Sequence, residues 1–97
     1  MRRSRSLLLV LALLAAACAR ERATAEVCEQ VLDRIVDIEL SEQGFKDPAL
    51  AERKKQELRR RFAPDLQRCV GRPLPRQAPA CIAAAATTEA LSHSCLR

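Results

Sequence analysis

From Thr24 to Val70 the apolar positions recur with the period of an α-helix. Val27, Cys28, Val31, Leu32, Ile35 and Ile38 fall at steps of three and four, which gathers them on one helical face. Thr24 stands where an N-cap belongs and Glu26 in the first turn, so a helix is predicted from there. Gly44 supplies a left-handed stop, and Phe45 beyond it is placed to fold back on Leu40, as at a Schellman end. A second helix is predicted from Asp47, as cap, and Pro48, which takes the first helical position where no amide donor is needed. Leu50, Lys54, Leu58, Phe62 and Leu66 follow at steps of four, with the Lys54 stem lying along the stripe. Pro64 interrupts the ladder, but the stripe runs on through Leu66, Cys69 and Val70, so a kink is expected there, with Gly71 as the end.

Gly71 to Pro79 is a proline-rich connector, extended and stiff. Cys81-Ile82-Ala83-Ala84-Ala85-Ala86 and Thr87-Thr88-Glu89-Ala90-Leu91 then form a further helical cluster. No segment shows strand-like alternation and no internal repeat occurs. The fold class expected is all-α: a small helical domain of two hairpins, about four helices in total.

Ahead of this domain stands Met1-Arg2-Arg3-Ser4-Arg5-Ser6, then an apolar run from Leu7 to Ala19. A basic opening, a short apolar core and small residues at its end form an export signal. The run holds 13 uncharged residues, short of the roughly 20 needed to span a bilayer. The organisation expected is a signal peptide over 1–17 (alternatively 1–19), a tether over 18–23 and a helical domain over 24–97.

Ala15-Ala16-Ala17-Cys18 resembles the lipobox of bacterial lipoproteins, in which the first residue after the cut is a cysteine. The family prefers Leu three residues before that cysteine; here Ala15 stands there, with Leu14 one step earlier. The resemblance implies that Cys18 carries a diacylglycerol on its thiol and an acyl group, such as palmitate, on its amine. It also implies, from the family's sorting habit with Ala19 next, passage to the outer membrane. The multiple chains of such an anchor make a stable attachment, where one chain alone is marginal. Cleavage after Ala19 by ordinary signal peptidase is the rival, and would give a soluble periplasmic or secreted protein. The cysteine layout and the segment from Cys81 to Cys95 are also similar to small four-cysteine helical lipoproteins of bacterial genomes, most without an assigned activity; that resemblance transfers no functional residue.

Charge changes the picture once the signal is set aside. The chain has a formal net charge of +5, but removing Arg2, Arg3 and Arg5 leaves 14 basic against 12 acidic residues. Cys18 to Glu42 carries a net of −4 and Lys46 to Arg76 a net of +6. Two neighbouring helices with complementary, solvated surfaces explain this. The alternative is that Arg53, Lys54, Lys55, Arg59, Arg60 and Arg61 form a patch for anionic lipid headgroups or envelope polymers. Nucleic acid is not an expected partner, because no aromatic residues interleave the basic ones for stacking.

Composition matters most for stability. The chain is 48% hydrophobic but 2% aromatic, and much of that apolar count is alanine. Domains below about 80 residues rarely hold together on such a core without a staple. In an exported chain Cys28, Cys69, Cys81 and Cys95 read as two disulfides. Their gaps of 41, 12 and 14 residues lack the close pairs of a structural zinc site, so no metal is expected, even with His93 near Cys95.

Two antiparallel helices bring Cys28 and Cys69 to one end, and the connector returns Cys81 there. Were 80–95 one straight helix, Cys95 would lie about 21 Å from Cys81, beyond the roughly 7 Å a disulfide allows. A break near Thr87-Thr88 is therefore predicted, with Thr87 capping a short fourth helix. Three pairings stay open. Cys28 with Cys69 and Cys81 with Cys95 close each hairpin across its open end and are favoured; Cys28 with Cys95 and Cys69 with Cys81 come second.

No catalytic residues are expected. His93 is the one histidine, and Ser92 and Ser94 beside it make no triad, since a base must meet its nucleophile in space and be oriented by a third group. There is no C-x-x-C for thiol exchange and no glycine-rich phosphate loop. The function expected is a non-enzymatic structural or interaction module, held to a membrane through Cys18, with an envelope protein as partner, no cofactor and no small-molecule substrate.

Overall fold

The computed structural model of the chain describes residues 5–10 and 21–97. Residues 5–10 are helical, with Leu7, Leu8, Leu9 and Val10 exposed. Cys18, the lipidation residue suggested by the sequence, lies outside the described residues, as does most of the expected signal peptide.

The domain is all-α apart from one short ladder. In chain order it runs β1 (Glu21–Arg22), α1 (Ala25–Glu42), α2 (Pro48–Arg61), α3 (Ala63–Cys69), β2 (Pro73–Leu74), α4 (Ala78–Ala84), α5 (Thr88–Ala90) and a π-helical turn (Leu91–Cys95). Helix α1 is the axis: α2 and α3 pack on one side of it and α4 on another.

Its ends follow from local chemistry. Thr24 Oγ1 accepts from the Val27 amide at 3.2 Å. At the far end the Phe45 amide donates to Leu40 O and the Gly44 amide to Ser41 O, the paired bonds of a Schellman motif. Gly44 sits at φ +81°, where an L side chain is disfavoured. The Phe45 backbone folds back on Leu40, but its side chain is 52% exposed. Asp47 Oδ1 then accepts from the Ala49 amide at 2.9 Å, and Pro48 opens α2.

The kink expected at Pro64 is set two residues earlier, at Phe62, which leaves helical geometry at φ −101°, ψ 22°. Proline has no amide to give the Arg60 carbonyl and its ring would strike that oxygen, so the chain opens there and restarts. The Phe62 amide still donates to Leu58 O, and Phe62 O still accepts from the Leu66 amide, which keeps α2 and α3 nearly continuous.

The ladder was not expected. Glu21 pairs with Leu74 and Arg22 with Pro73, antiparallel. Two residues per strand are too few to show alternation in a sequence. The Ala23 amide donates to Arg72 O, the Gly71 amide to Ala23 O, and the Arg22 guanidinium to Gly71 O. Ala23 is buried at 3%. Residues 21–23, read from sequence as the end of a tether, are thus held against the connector and belong with the helical domain.

Beyond α4 the chain turns. Thr87 is extended, at φ −135°, ψ 156°, and its hydroxyl accepts from the Ala90 amide at 3.0 Å. The short helix it caps is only three residues long and passes directly into the π-turn. That geometry returns the chain: Cys95 meets Cys81 with Cα atoms 5.4 Å apart, and Cys28 meets Cys69 at 6.0 Å. Both bonds sit in or against one apolar cluster built on Cys28, Leu74, Ala78, Ile82, Leu91 and Cys95. The core therefore lies at the stapled end, where the cysteines, the ladder and the connector converge.

Further along α1, where Val36 and Ile38 are still buried, polar seams join the apolar packing. Gln30 Nε2 donates to Pro79 O and Arg34 Nε to Ala85 O, at 3.0 and 2.8 Å, tying α1 to α4. Toward α2, Asp33 accepts two hydrogen bonds from Arg59, and Lys55 Nζ lies 2.9 Å from Asp37. The hydrogen bond with Asp33 holds the Arg59 guanidinium above its ordinary arginine value, against a smaller opposing effect of desolvation. A raised value leaves that contribution fully present below the ordinary arginine range for as long as the Asp33 carboxylate is charged. Salt is thus the usable lever. Asp33→Asn is expected to cost up to about 1 kcal/mol at low ionic strength, and less as added salt screens the pair. Urea unfolding at two salt concentrations reads the difference.

Candidate interaction surface

The residues singled out in the sequence are distributed unevenly. The acidic face of α1 and the basic face of α2 are partners: Lys55 and Arg59 are taken up by Asp37 and Asp33. Lys54 lies 3.7 Å from Glu57 on its own helix. Arg53, Arg60 and Arg61 are exposed and make no ion pair with a described residue. Arg61 stands over the Phe62 ring, 5.9 Å from its centroid. Three arginines of the six-residue basic patch thus have no carboxylate partner among the described residues.

His93 is exposed in the π-turn, as are Ser92 and Ser94. Among the described residues no cluster of three or more His, Cys, Asp or Glu side chains is arranged to hold a metal ion. Among those same residues no helix is long and apolar enough to cross a membrane. The two disulfides belong to the chemistry of an oxidising, exported compartment.

The feature that sequence reasoning missed is a groove. It opens between α1 and the α2–α3 elbow, with a volume of about 500 Å³, within the size range of small-molecule sites. Cys28, Leu32 and Ile35 form its floor, Leu58, Phe62 and Leu66 its wall, and the Cys28–Cys69 bond closes one end. Among the described residues, Glu39 and Asp65 are its charged lining residues. Asp65 is bonded to Arg68 at 2.8 Å, whereas the Glu39 carboxylate has no ion-pair or hydrogen-bond partner among the described residues. Phe62, at the lip, is 39% exposed.

Leu32, Ile35, Leu58 and Leu66 are only half-buried, so the apolar stripes of two helices meet without covering one another. The signal for this was present in the steps of four along α2. At 3.6 residues per turn, each such step rotates the side chain by roughly 40°. From Leu50 to Phe62 the stripe turns by about 120°, and its later members swing off the seam with α1.

No protein-family model, curated protein or solved structure matches the chain.

Proposed function

We propose that the chain is an exported protein, lipid-anchored through Cys18 to the outer membrane of a bacterium, whose helical domain serves as a non-enzymatic structural or interaction module of the envelope. The observation that carries this is the pairing of a basic-then-apolar N-terminal sequence of the export-signal type with a small domain held by two disulfides around a thin core. Such construction suits a rigid, displayed scaffold in an oxidising compartment. The open apolar groove is the kind of surface by which such a scaffold engages another protein.

The intact mass of the protein extracted from membranes without reductant tests the reading. Residues 18–97 bearing acyl groups, four hydrogens light for the two disulfides, is the expected species. A polypeptide beginning at Arg20, unlipidated and recovered from the soluble fraction, replaces the anchor with free diffusion.

A second reading has a specific observation behind it. The three exposed arginines without carboxylate partners, Arg53, Arg60 and Arg61, support a soluble module that touches anionic envelope polymers or lipid headgroups. It requires that the unlipidated protein bind anionic vesicles at low salt, and lose them at high salt or on neutralising these arginines. An unlipidated protein that ignores anionic vesicles at low salt ends it.

A further inference from the structure

We propose that the groove between α1 and the α2–α3 elbow is the interface for a second copy of this chain, in a two-fold dimer. Each copy would insert Phe62 into the other's groove and bring Arg61 to the other's Glu39.

The groove leaves both apolar surface and a charge unmet. Its floor and wall are apolar and open, and Glu39 at the rim has a carboxylate without a partner among the described residues. The occupant it fits therefore offers a bulky apolar side chain beside a positive charge. That pair exists on the same molecule, with Phe62 at the groove and Arg61 next to it. Phe62 is 39% exposed at the lip, and the guanidinium of Arg61 lies over its ring, likewise without a carboxylate.

Aromatic residues and arginine are the types that anchor protein interfaces. A two-fold interface requires knob and socket to lie on one continuous patch, so that each contact is made twice. Here Phe62 both walls the groove and stands partly exposed at its lip, and Glu39 supplies the opposite charge on the α1 side. Complementary charges of this sort set register and exclude wrong partners. The proposal does not depend on lipid attachment, although anchoring both copies in one membrane would raise their effective concentration.

The two-fold geometry makes a sharp test. A copy carrying Glu39→Arg presents arginine at both contact positions, and a copy carrying Arg61→Glu presents glutamate at both. Each variant paired with itself faces like charges twice. The two variants paired with each other restore both contacts. Full-length chains bearing two different affinity tags are co-expressed, and the co-isolated fraction is measured after processing. The wild-type pair is expected to co-isolate, each like-variant pair to fall by at least about tenfold, and the mixed pair to recover.

Both substitutions are at exposed positions, and non-reduced mobility with an unchanged thermal melt verifies that each variant folds. A photo-crosslinking residue at Leu32 is expected to trap a product of twice the protein's mass, lost in the like-variant pairs. Like-variant pairs that stay associated, a mixed pair that does not recover, a wild-type pair that never co-isolates, or a Leu32 crosslink only to a different protein each overturn the dimer.

Discussion

Reduction of the two disulfides is expected to abolish the cooperative thermal transition. The Cys28–Cys69 bond joins residues 41 apart and Cys81–Cys95 residues 14 apart. In the chain-entropy account, loops of those sizes contribute about 4 and about 3 kcal/mol by restricting the unfolded chain. A small domain has a total stability near the lower end of about 5–15 kcal/mol, so little remains without them. The thin core explains why nothing else compensates: the largest fully buried side chains are Ile82, Leu91 and the two cysteines Cys28 and Cys95. Two of those four are members of the staples themselves.

Replacing one pair at a time by alanine separates the contributions. Loss of Cys28–Cys69 is expected to be the more damaging, because it closes the longer loop and ties α1 to α3. The check is a far-UV circular dichroism melt with and without a strong thiol reductant. A reduced protein that keeps its full transition at an unchanged midpoint would show the core to be sufficient alone.

The second large effect is expected at Ile82. It is fully buried in α4, among Ala78, Ala85, Leu91 and Cys95. Ile82→Ala removes three carbons from the centre of the cluster, and such deletions cost about 2–5 kcal/mol, more where the site cannot collapse. Collapse is restricted here. The backbone on either side is pinned by Cys81–Cys95 and by the Arg34 bond to Ala85 O, and the alanine neighbours have no side chain long enough to fill the gap. At roughly 4–8 °C per kcal/mol for a domain of this size, a fall in the melting midpoint of at least about 10 °C is expected. A fall of a few degrees would place the weight of the core elsewhere.

The helices were legible because their ends carry their own chemistry. Thr24, Gly44, Asp47-Pro48 and Thr87 act locally, and each does in the structure what its side chain or missing Cβ favours. The break at Thr87 was legible for a different reason: a bond-length constraint forbade a straight helix to Cys95. The two-residue ladder was not legible, since its pairing depends on where the connector returns, a tertiary fact with no period of its own. Val36, buried at 3%, escaped the pattern as well. It lies off the arc of Val27, Cys28, Val31, Leu32, Ile35 and Ile38, and is covered because α2 packs against a second side of α1. The groove escaped because a stripe drawn at steps of four looks straight in a sequence and winds around a real helix. Whether two apolar stripes cover each other depends on where each has rotated by the time they meet.

The placement of the staples has a mechanical meaning. Tension entering at Glu21 and leaving beyond Cys95 would travel to Cys28, cross one sulfur bridge to Cys69, follow the connector to Cys81 and cross the second bridge to Cys95. Nearly all of α1, all of α2 and the elbow at Phe62 lie inside the closed loop between Cys28 and Cys69, off that line of force. A pull along the chain would straighten the ladder and the proline-rich connector first, while the two walls of the groove stayed unstretched.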